Sequence, residues 1–311
     1  MAYDNLFSRG TIGSLQIKNR VVMPSMGTFR NLSSGEVSDH TIAYFEARAK
    51  GGVGLIITEF TAIDGSRGNS GITHLRADGA IYIPMLGRLA DAVHKYGTRI
   101  FMQLSHAGRQ TSPELTGGLQ PIAPSPVPCP VSGAMPRELS GEEIKVLVAK
   151  FVSGAVTCRR AGMDGVELHG AHGYLINQFL SPLSNTRTDD YGGNFAGRIR
   201  FVQEIVEGIK EQCGRNFPVS VRLTVDEFLD GGIDLPTGIA IAKHLESIGV
   251  DIINVSCGTY ARFDTIIEPV TFDQGWRAYL AEAVKKEVRI PVIAVGVIRE
   301  PDFADALIRD G

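Results

Sequence analysis

The stretch Gly165-Val-Glu-Leu-His-Gly170 is a short apolar run, and a second such run, Val219-Ser-Val-Arg-Leu-Thr224, follows after a helix-like segment. That helix-like segment keeps its apolar residues on one helical face and ends at Gly214. The same strand-then-helix unit recurs, which predicts a parallel sheet. Seven strands are predicted, at Val21–Met26, Leu55–Phe60, Arg99–Ser105, Gly165–Gly170, Val219–Thr224, Ile252–Ser256 and Pro291–Gly296.

Strict alternation of strands and helices fits both a doubly wound sheet and a (β/α)₈ barrel. No G-x-G-x-x-G sequence follows the first strand, as it would in a dinucleotide-binding sheet. We therefore predict an α/β fold of the (β/α)₈ TIM-barrel type.

Three further segments complete the predicted architecture. Gly10–Asn19 alternates apolar and polar residues around Gly-Ser and predicts a β-hairpin that closes the bottom of the barrel. Thr111–Glu138 is rich in proline and predicts a long ordered loop. Ser140-x-x-Glu143 is a capping box at the start of a helix.

The C-terminal end of the sequence leaves the predicted barrel incomplete. Strand seven ends near Gly296, a helix follows from about Pro301 to Arg309, and the sequence ends at Gly311. An eighth strand is expected a few residues later. We therefore expect residues 1–311 to form a single barrel domain that lacks its last strand; a longer parent with further domains is one possibility that the sequence leaves open.

Composition limits the classes of function. The 311 residues include 31 basic and 34 acidic side chains, for a net charge of −3, which argues against nucleic-acid binding. Neither a membrane-length apolar run nor a secretory leader is visible in the sequence, so a cytoplasmic protein is expected. The cysteines form no C-x-x-C pair and are expected to be free buried thiols; they are Cys129, Cys158, Cys213 and Cys257.

The candidate chemistry lies where predicted strand four ends, because functional residues of barrels sit at the C-terminal ends of strands. His169, His172 and Tyr174 fall within six residues there. Two imidazoles can donate hydrogen bonds to one substrate oxygen, and a phenol with a pKa of about 10 keeps its proton at neutral pH. The trio predicts an oxygen-binding pair beside a general acid.

Two other interpretations of these residues stay open. A histidine or tyrosine at a strand end is often a structural group with satisfied hydrogen bonds. Glu167, His169 and His172 also form an E-x-H-x-x-H pattern, in which a metal ion is sterically conceivable, as in a metal-dependent lyase or hydrolase.

A longer set of motifs resembles one known family. These motifs are His169-Gly-Ala-His-Gly-Tyr-Leu-Ile-Asn-Gln-Phe-Leu-Ser-Pro182, Asn185-x-Arg187-x-Asp189-x-Tyr191-Gly-Gly193, Arg198, Leu6-Phe7, Ile17-Lys-Asn-Arg-Val-Val-Met-Pro-Ser-Met26, Gln103-Leu-Ser-His-Ala-Gly-Arg109, Val221-Arg222 and Ala294-Val-Gly296. Taken in order along the chain, they resemble the Old Yellow Enzyme family of FMN-dependent ene-reductases, also called NADH:flavin oxidoreductases.

The resemblance implies a cofactor site for non-covalent FMN across the mouth of the barrel. Pro24, Ser25 and Met26 match positions that line the flavin, and Gln103 matches the side chain that binds its pyrimidine edge. The remaining two matches are Arg222, beside the flavin N1 and ribityl chain, and Gly296, in the first half of the phosphate site.

The resemblance also implies a ping-pong reaction between NADH or NADPH and an α,β-unsaturated carbonyl compound. His169 and His172 match the pair that binds the carbonyl or carboxylate oxygen, and Tyr174 matches the proton donor. The flavin takes a hydride from the nicotinamide and passes one to the β-carbon of the alkene. The expected partners are therefore small molecules, with no nucleic acid or membrane, and a homo-oligomer is possible.

The sequence departs from the family in ways that matter for function. Gly27 stands where one bacterial branch has a cysteine, and the second half of the phosphate site, after strand eight, is missing. An incomplete barrel without catalysis is therefore the alternative to an active enzyme. The pocket loops offer Tyr260, Arg262 and Phe263 but no code for the substrate, and Arg262 is expected to face solvent rather than a substrate carboxylate.

Overall fold

The computed structural model describes residues 3–310 of the chain. The strands, in chain order, are β1 Gly10–Ile12, β2 Leu15–Ile17, β3 Val22–Met23, β4 Leu55–Ala62, β5 Leu75–Arg76, β6 Arg99–Ser105, β7 Ile122–Ala123, β8 Arg137–Glu138, β9 Gly165–Gly170, β10 Val219–Thr224, β11 Ile252–Ser256 and β12 Val292–Ile293. The α-helices are α1 Asp39–Lys50, α2 Ile83–His94, α3 Gly141–Arg160, α4 Leu175–Leu180, α5 Phe195–Cys213, α6 Leu235–Ser247, α7 Ala278–Glu287 and α8 Pro301–Arg309. Two 3₁₀ helices span Ala80–Tyr82 and Tyr260–Thr265.

Seven parallel strands lie side by side in the order in which they occur in the chain, which confirms the predicted barrel architecture. The order is β3, β4, β6, β9, β10, β11 and β12, and the short strand β5 pairs with the end of β4. Within residues 3–310 no strand joins β12 to β3. The described wall is therefore a barrel that is open where the eighth strand was expected.

The predicted bounds are correct for the middle strands and wrong at the two sides of the opening. Strands β6, β9, β10 and β11 have the predicted bounds, and β4 extends two residues further. Strands β3 and β12 keep only two residues each. Each of these two has a single neighbour in the wall, so fewer ladder hydrogen bonds hold its backbone extended.

Residues alternate between the two faces of the barrel wall, which fixes what each strand offers to the interior. In β9, Val166 and Leu168 belong to the core shared with the surrounding helices. Glu167 lies between them and bonds to side chains of neighbouring strands, so it points into the barrel. His169 is next on the same interior face.

The predicted hairpin is present, and it closes the bottom of the barrel. Strands β1 and β2 pair antiparallel, with Gly10 opposite Ile17. Ile12 and Ile17 are buried in a small apolar cluster with Leu55 and Ile252, the first residues of β4 and β11. The hairpin therefore fills the interior at the ends of the strands where the chain enters them.

Local features predicted for the helices and the long loop are confirmed. Ser140 and Glu143 form the capping box of α3, and α5 ends at Gly214 with a φ of 88°. The segment from Thr111 to Glu138 is irregular apart from the paired strands β7 and β8. All four cysteines are free and buried, as expected.

None of the helices in the described part of the chain combines the length and the apolar composition needed to cross a membrane.

Candidate active site

A layer of buried polar side chains crosses the barrel interior below the candidate site. Glu167 is fully buried, and its carboxylate accepts hydrogen bonds from Gln103 Nε2 (2.8 Å), Ser220 Oγ (2.8 Å) and Asn254 Nδ2 (3.0 Å). Burial raises the pKa of Glu167, while the charge of Arg222 and these hydrogen bonds act in the opposite direction. The layer fixes the side chains that stand above it.

This arrangement does not fit the metal-site interpretation of Glu167, His169 and His172. Both carboxylate oxygens of Glu167 are committed to side chains of the polar layer. Among residues 3–310, no three His, Cys, Asp or Glu side chains are grouped so that they could hold a metal ion. The E-x-H-x-x-H pattern therefore has no geometric support as a metal centre.

Three of the predicted cofactor residues meet at the C-terminal ends of β3, β6 and β10. Ser25 Oγ donates to Gln103 Oε1 at 2.9 Å, and Arg222 Nη1 donates to the carbonyl of Ser25 at 3.0 Å. Pro24 lies on the same segment as Ser25, and Met26 beyond it is 51% exposed. These contacts join three separate segments of the chain, and all three residues are ones that the resemblance assigned to the cofactor site.

Arg222 has more hydrogen-bonding capacity than the protein uses. Its Nε is buried and has no partner, and the salt bridges of the described residues do not include it. Burial lowers its pKa, with the charge of Glu167 acting against that shift. The buried Nε of a guanidinium that has no partner requires an anionic or carbonyl group as ligand.

Gly296 lies in the segment that follows β12. It has a φ of 109°, and an added Cβ would come within 2.2 Å of Arg277 Nε. Arg277 also pairs with Glu268 at 2.8 Å, and both side chains are largely buried. Only glycine allows the guanidinium to lie this close to the backbone here.

The predicted trio is assembled as the sequence indicated. The ring centroid of His169 lies 5.3 Å from that of His172 and 4.6 Å from that of Tyr174, and all three side chains are buried. His172 has a φ of 61°, which is unusual for a residue with a Cβ. Thr224 Oγ1 accepts its backbone N–H at 2.9 Å, and Ser256 Oγ lies 2.7 Å from its Nε2, so β10 and β11 hold it there.

Burial keeps the two histidines and Tyr174 uncharged, and the nearby charge of Arg222 adds to this effect at the histidines. Burial, followed by the charge of Arg222, lowers the pKa of His169 and His172 well below 6.5. Burial raises the pKa of Tyr174 above its ordinary value. Neutral imidazoles that donate N–H groups and a protonated phenol are therefore available at neutral pH, and His169 Nδ1 is buried without a partner.

The sequence did not reveal the partner of Tyr174. Tyr260, at the start of the 3₁₀ helix after β11, places its hydroxyl oxygen 2.9 Å from that of Tyr174. The sequence identified Tyr260 only as a loop residue near the pocket. Its distance of 86 positions from Tyr174 left no local signal, and only the parallel neighbours β9, β10 and β11 bring the two loops together.

Arg262 takes the role that was expected of it. Its side chain pairs with Asp264 at 3.3 Å, donates to the carbonyl of Phe228, and is 42% exposed. It is therefore a surface arginine that ties two loops together.

The open mouth of a parallel barrel, an unpaired arginine beside Ser25 and Gln103, and a neutral histidine pair define a site of the flavin-binding oxidoreductase class. FMN fits these residues, because Arg222 Nε is buried without a partner among the described residues and the ring system of FMN has carbonyl oxygens that accept hydrogen bonds from a cation. Comparison with known proteins identifies the family. Residues 5–311 match the model of the NADH:flavin oxidoreductase / NADH oxidase family, and the chain belongs to that family, the Old Yellow Enzyme family of the sequence resemblance.

Individual relatives agree with this assignment. The chain is 53% identical over 309 residues to an NADH oxidase of Thermoanaerobacter brockii, which covers 99% of this chain and 48% of that protein. It is 34% identical over 330 residues to a cinnamate reductase of Clostridium sporogenes, covering 99% of this chain and 50% of the relative. A solved structure of 2-naphthoyl-CoA reductase with 2-naphthoyl-CoA superposes with a TM-score of 0.93 at 28% identity, covering 99% of this chain and 49% of that one.

The chain thus spans about half the length of each of these three proteins. Family membership confirms the TIM-barrel fold and FMN as the cofactor.

Proposed function

We propose that this chain forms the catalytic barrel of an FMN-dependent enzyme that reduces the activated C=C bond of α,β-unsaturated carbonyl compounds with NADH or NADPH by a ping-pong mechanism. The observation that carries the proposal is the neutral pair His169 and His172 next to the buried phenol of Tyr174, at the same barrel mouth as Arg222. The names of the cinnamate and 2-naphthoyl-CoA reductases support a conjugated carbonyl substrate.

FMN, when bound, would supply the hydride transfer between the nicotinamide and the alkene. In the proposal, Ser25, Gln103 and Arg222 would hold its ring system, and the positive charge of Arg222 would favour negative charge on the ring. Pro24 and Met26 line the ring. Gly296 provides backbone for the phosphate end of the cofactor.

His169 and His172 bind the substrate carbonyl oxygen with two N–H donors. This oxygen gains negative charge as the β-carbon receives the hydride, so preorganised donors stabilise the transition state more than the ground state. Ser256 and Thr224 hold the ring and the backbone of His172 for this purpose. Both imidazoles lie in a buried site, where each hydrogen bond to a developing charge is strengthened.

Tyr174 then gives its proton to the α-carbon. Its raised pKa keeps the proton in place until a basic carbon develops beside it. The hydroxyl of Tyr260, 2.9 Å away, orients the phenol and remains as a hydrogen-bond donor to the phenolate oxygen.

Anaerobic half-reactions test the proposal. The purified chain loaded with FMN should lose its yellow colour on addition of NADH or NADPH, and it should regain that colour when cyclohexenone or cinnamate is added. Double-reciprocal plots at several substrate concentrations should be parallel. A chain that binds FMN and is reduced by neither nicotinamide, or that is reduced but transfers nothing to any conjugated carbonyl, contradicts the proposal.

A further inference from the structure

A cavity of about 190 Å³ lies beside the Tyr174–Tyr260 pair. Loops that follow β6, β10 and β11 form its wall, together with the long proline-rich loop, and Tyr260 and Thr259 belong to it. Tyr260 therefore borders this cavity and also contacts the hydroxyl of Tyr174.

Two hydrogen-bond donors on the cavity wall lack acceptors. Gln110 is 5% exposed, and its Nε2 is buried without a partner. Arg109 donates through Nη1 to the carbonyls of Val127 (3.2 Å) and Pro128 (3.3 Å), but its buried Nε has no partner. A polar group that is buried without a hydrogen bond is costly, so two of them on one cavity indicate a ligand.

The acceptor on the opposite wall is already occupied. Glu227 accepts hydrogen bonds from Asn177 Nδ2 (3.2 Å), Ser181 Oγ (2.8 Å) and the backbone N–H of Ile233 (3.0 Å). Its charge and that of Arg109 offset each other across the cavity. The cavity wall therefore offers hydrogen-bond donors to a ligand, and the matching ligand group is a hydrogen-bond acceptor.

Gln110 is coupled to the catalytic turn through Gly173. Gly173 stands between His172 and Tyr174 with a φ of 80°, and a Cβ at this position would come within 2.4 Å of Gln110 Oε1. The amide therefore packs directly against the backbone that carries both catalytic side chains. The amide thus lies beside the turn that carries the histidine–tyrosine site.

We propose that Gln110 and Arg109 form a second substrate subsite, which binds an oxygen acceptor, carbonyl or carboxylate, at the end of the substrate opposite its activated double bond. This inference rests on the proposed ene-reductase function and assigns it a substrate class: conjugated carbonyl compounds with a distal oxygen acceptor. An unsubstituted enone leaves both donors without a partner, and enzymes discriminate strongly against such substrates.

The test compares three linear enals that differ only at their far end: (E)-2-octenal, (E)-8-oxooct-6-enoic acid and its methyl ester. The wild-type chain with FMN and NADPH should prefer the acid and the ester, by kcat/KM. In Gln110→Met, which keeps the side-chain length and removes the donor, this preference should fall by about three- to tenfold, the effect of one neutral hydrogen bond. Gln16→Met, the same change at an exposed position of the hairpin, should retain the wild-type preference.

The outcomes separate the subsite from the reaction itself. If the acid and the ester are equally favoured, the neutral oxygen is sufficient; a preference for the acid alone shows that the charge of Arg109 dominates, and both results support the subsite. Reduction of all three enals with the same relative efficiency in wild type and Gln110→Met overturns the subsite and leaves the proposed function intact. If the wild-type chain reduces none of them or any other conjugated carbonyl, the proposed function fails and this inference fails with it.

Discussion

At the scale of single residues, the site depends on a phenol that is kept protonated. Replacing Tyr174 with Phe removes the proton donor and leaves the ring that packs against His169. We predict that flavin reduction by NADPH stays within about twofold, whereas alkene reduction slows by about 10²- to 10⁴-fold, the range for loss of a general acid. Stopped-flow measurement of the two half-reactions checks this.

The control for this substitution is Tyr96→Phe, which changes a partly exposed tyrosine on a turn at the opposite end of the barrel, before β6. Both of its half-reactions should match wild type. If Tyr174→Phe slows the two half-reactions equally, Tyr174 is needed for flavin binding or folding and is not the proton donor.

A substitution at Tyr260 tests the hydrogen bond between its hydroxyl and that of Tyr174. Its hydroxyl holds the hydroxyl of Tyr174 at 2.9 Å, and this hydrogen bond lowers the pKa of Tyr174 against the effect of burial. Tyr260→Phe should therefore raise the pKa of Tyr174 further and slow alkene reduction by about three- to tenfold, with flavin reduction unaffected. A variant with wild-type rates in both half-reactions would show that the contact has no part in proton transfer.

The histidine pair should make the reaction insensitive to pH near neutrality. The pKa of His169 and that of His172 lie well below 6.5, so both rings stay neutral as pH falls from 8 to 6. With chemically reduced enzyme and cyclohexenone, which does not titrate, we expect a flat rate of alkene reduction across this range. A rate that rises as pH falls through about 6.5 would mean that an imidazolium is the active form.

At the scale of helices and strands, the sequence correctly predicted the features that depend on the local order of apolar and polar residues. Strands with two neighbours, such as β6 and β10, have bounds fixed by their apolar runs, and α3 begins at a capping box that can be seen in four residues. Strands β3 and β12 were predicted too long because their length depends on a neighbour. The Tyr174–Tyr260 contact is of the same kind, since it arises from strand order and not from spacing.

The hairpin is an element whose contribution can be measured. Ile12 is 1% exposed in the cluster that closes the barrel bottom, and its neighbour Thr11 faces solvent. Ile12→Ala should lower the free energy of unfolding by about 2–5 kcal/mol, through lost apolar burial and the cavity left behind. Thr11→Ala, one residue away on the other face, should change it by less than about 0.5 kcal/mol in the same urea titration. Equal small effects at both positions would show that the hairpin does not contribute to the core.

At the scale of the whole molecule, the side chains inside the barrel change from apolar at the bottom to polar at the mouth. Apolar side chains around Ile12 and Ile252 fill the bottom, a hydrogen-bonded layer centred on Glu167 lies above them, and unpartnered donors stand at the mouth. Two buried nitrogen atoms at the top, Arg222 Nε and His169 Nδ1, have no hydrogen-bond partner among the described residues. We therefore expect a ligand to raise the free energy of unfolding through its contacts with residues at the mouth of the barrel, and not through residues at the base.

Arg222 allows this link to be tested with folding as the readout. At an FMN concentration about 100 times Kd, binding should add about 2.7 kcal/mol to the free energy of unfolding. Arg222→Gln removes a partly buried cation that forms no salt bridge with the described residues, and it also removes the positive charge that acts on buried Glu167. These two effects on stability oppose each other, so the variant without FMN is compared with wild type first. Losing a charged hydrogen bond to the flavin should weaken binding by about 1.5–3 kcal/mol. The same FMN concentration should then stabilise the variant by about 1.5–2.5 kcal/mol less than wild type. Urea unfolding measures the free energy of unfolding without FMN and with it. The control is Arg160→Gln, an exposed change at the end of α3, which should behave as wild type in both measurements.

Equal stabilisation by FMN in wild type and Arg222→Gln would show that this arginine does not hold the flavin, whereas a large loss of stability without FMN would make it a structural residue of the barrel.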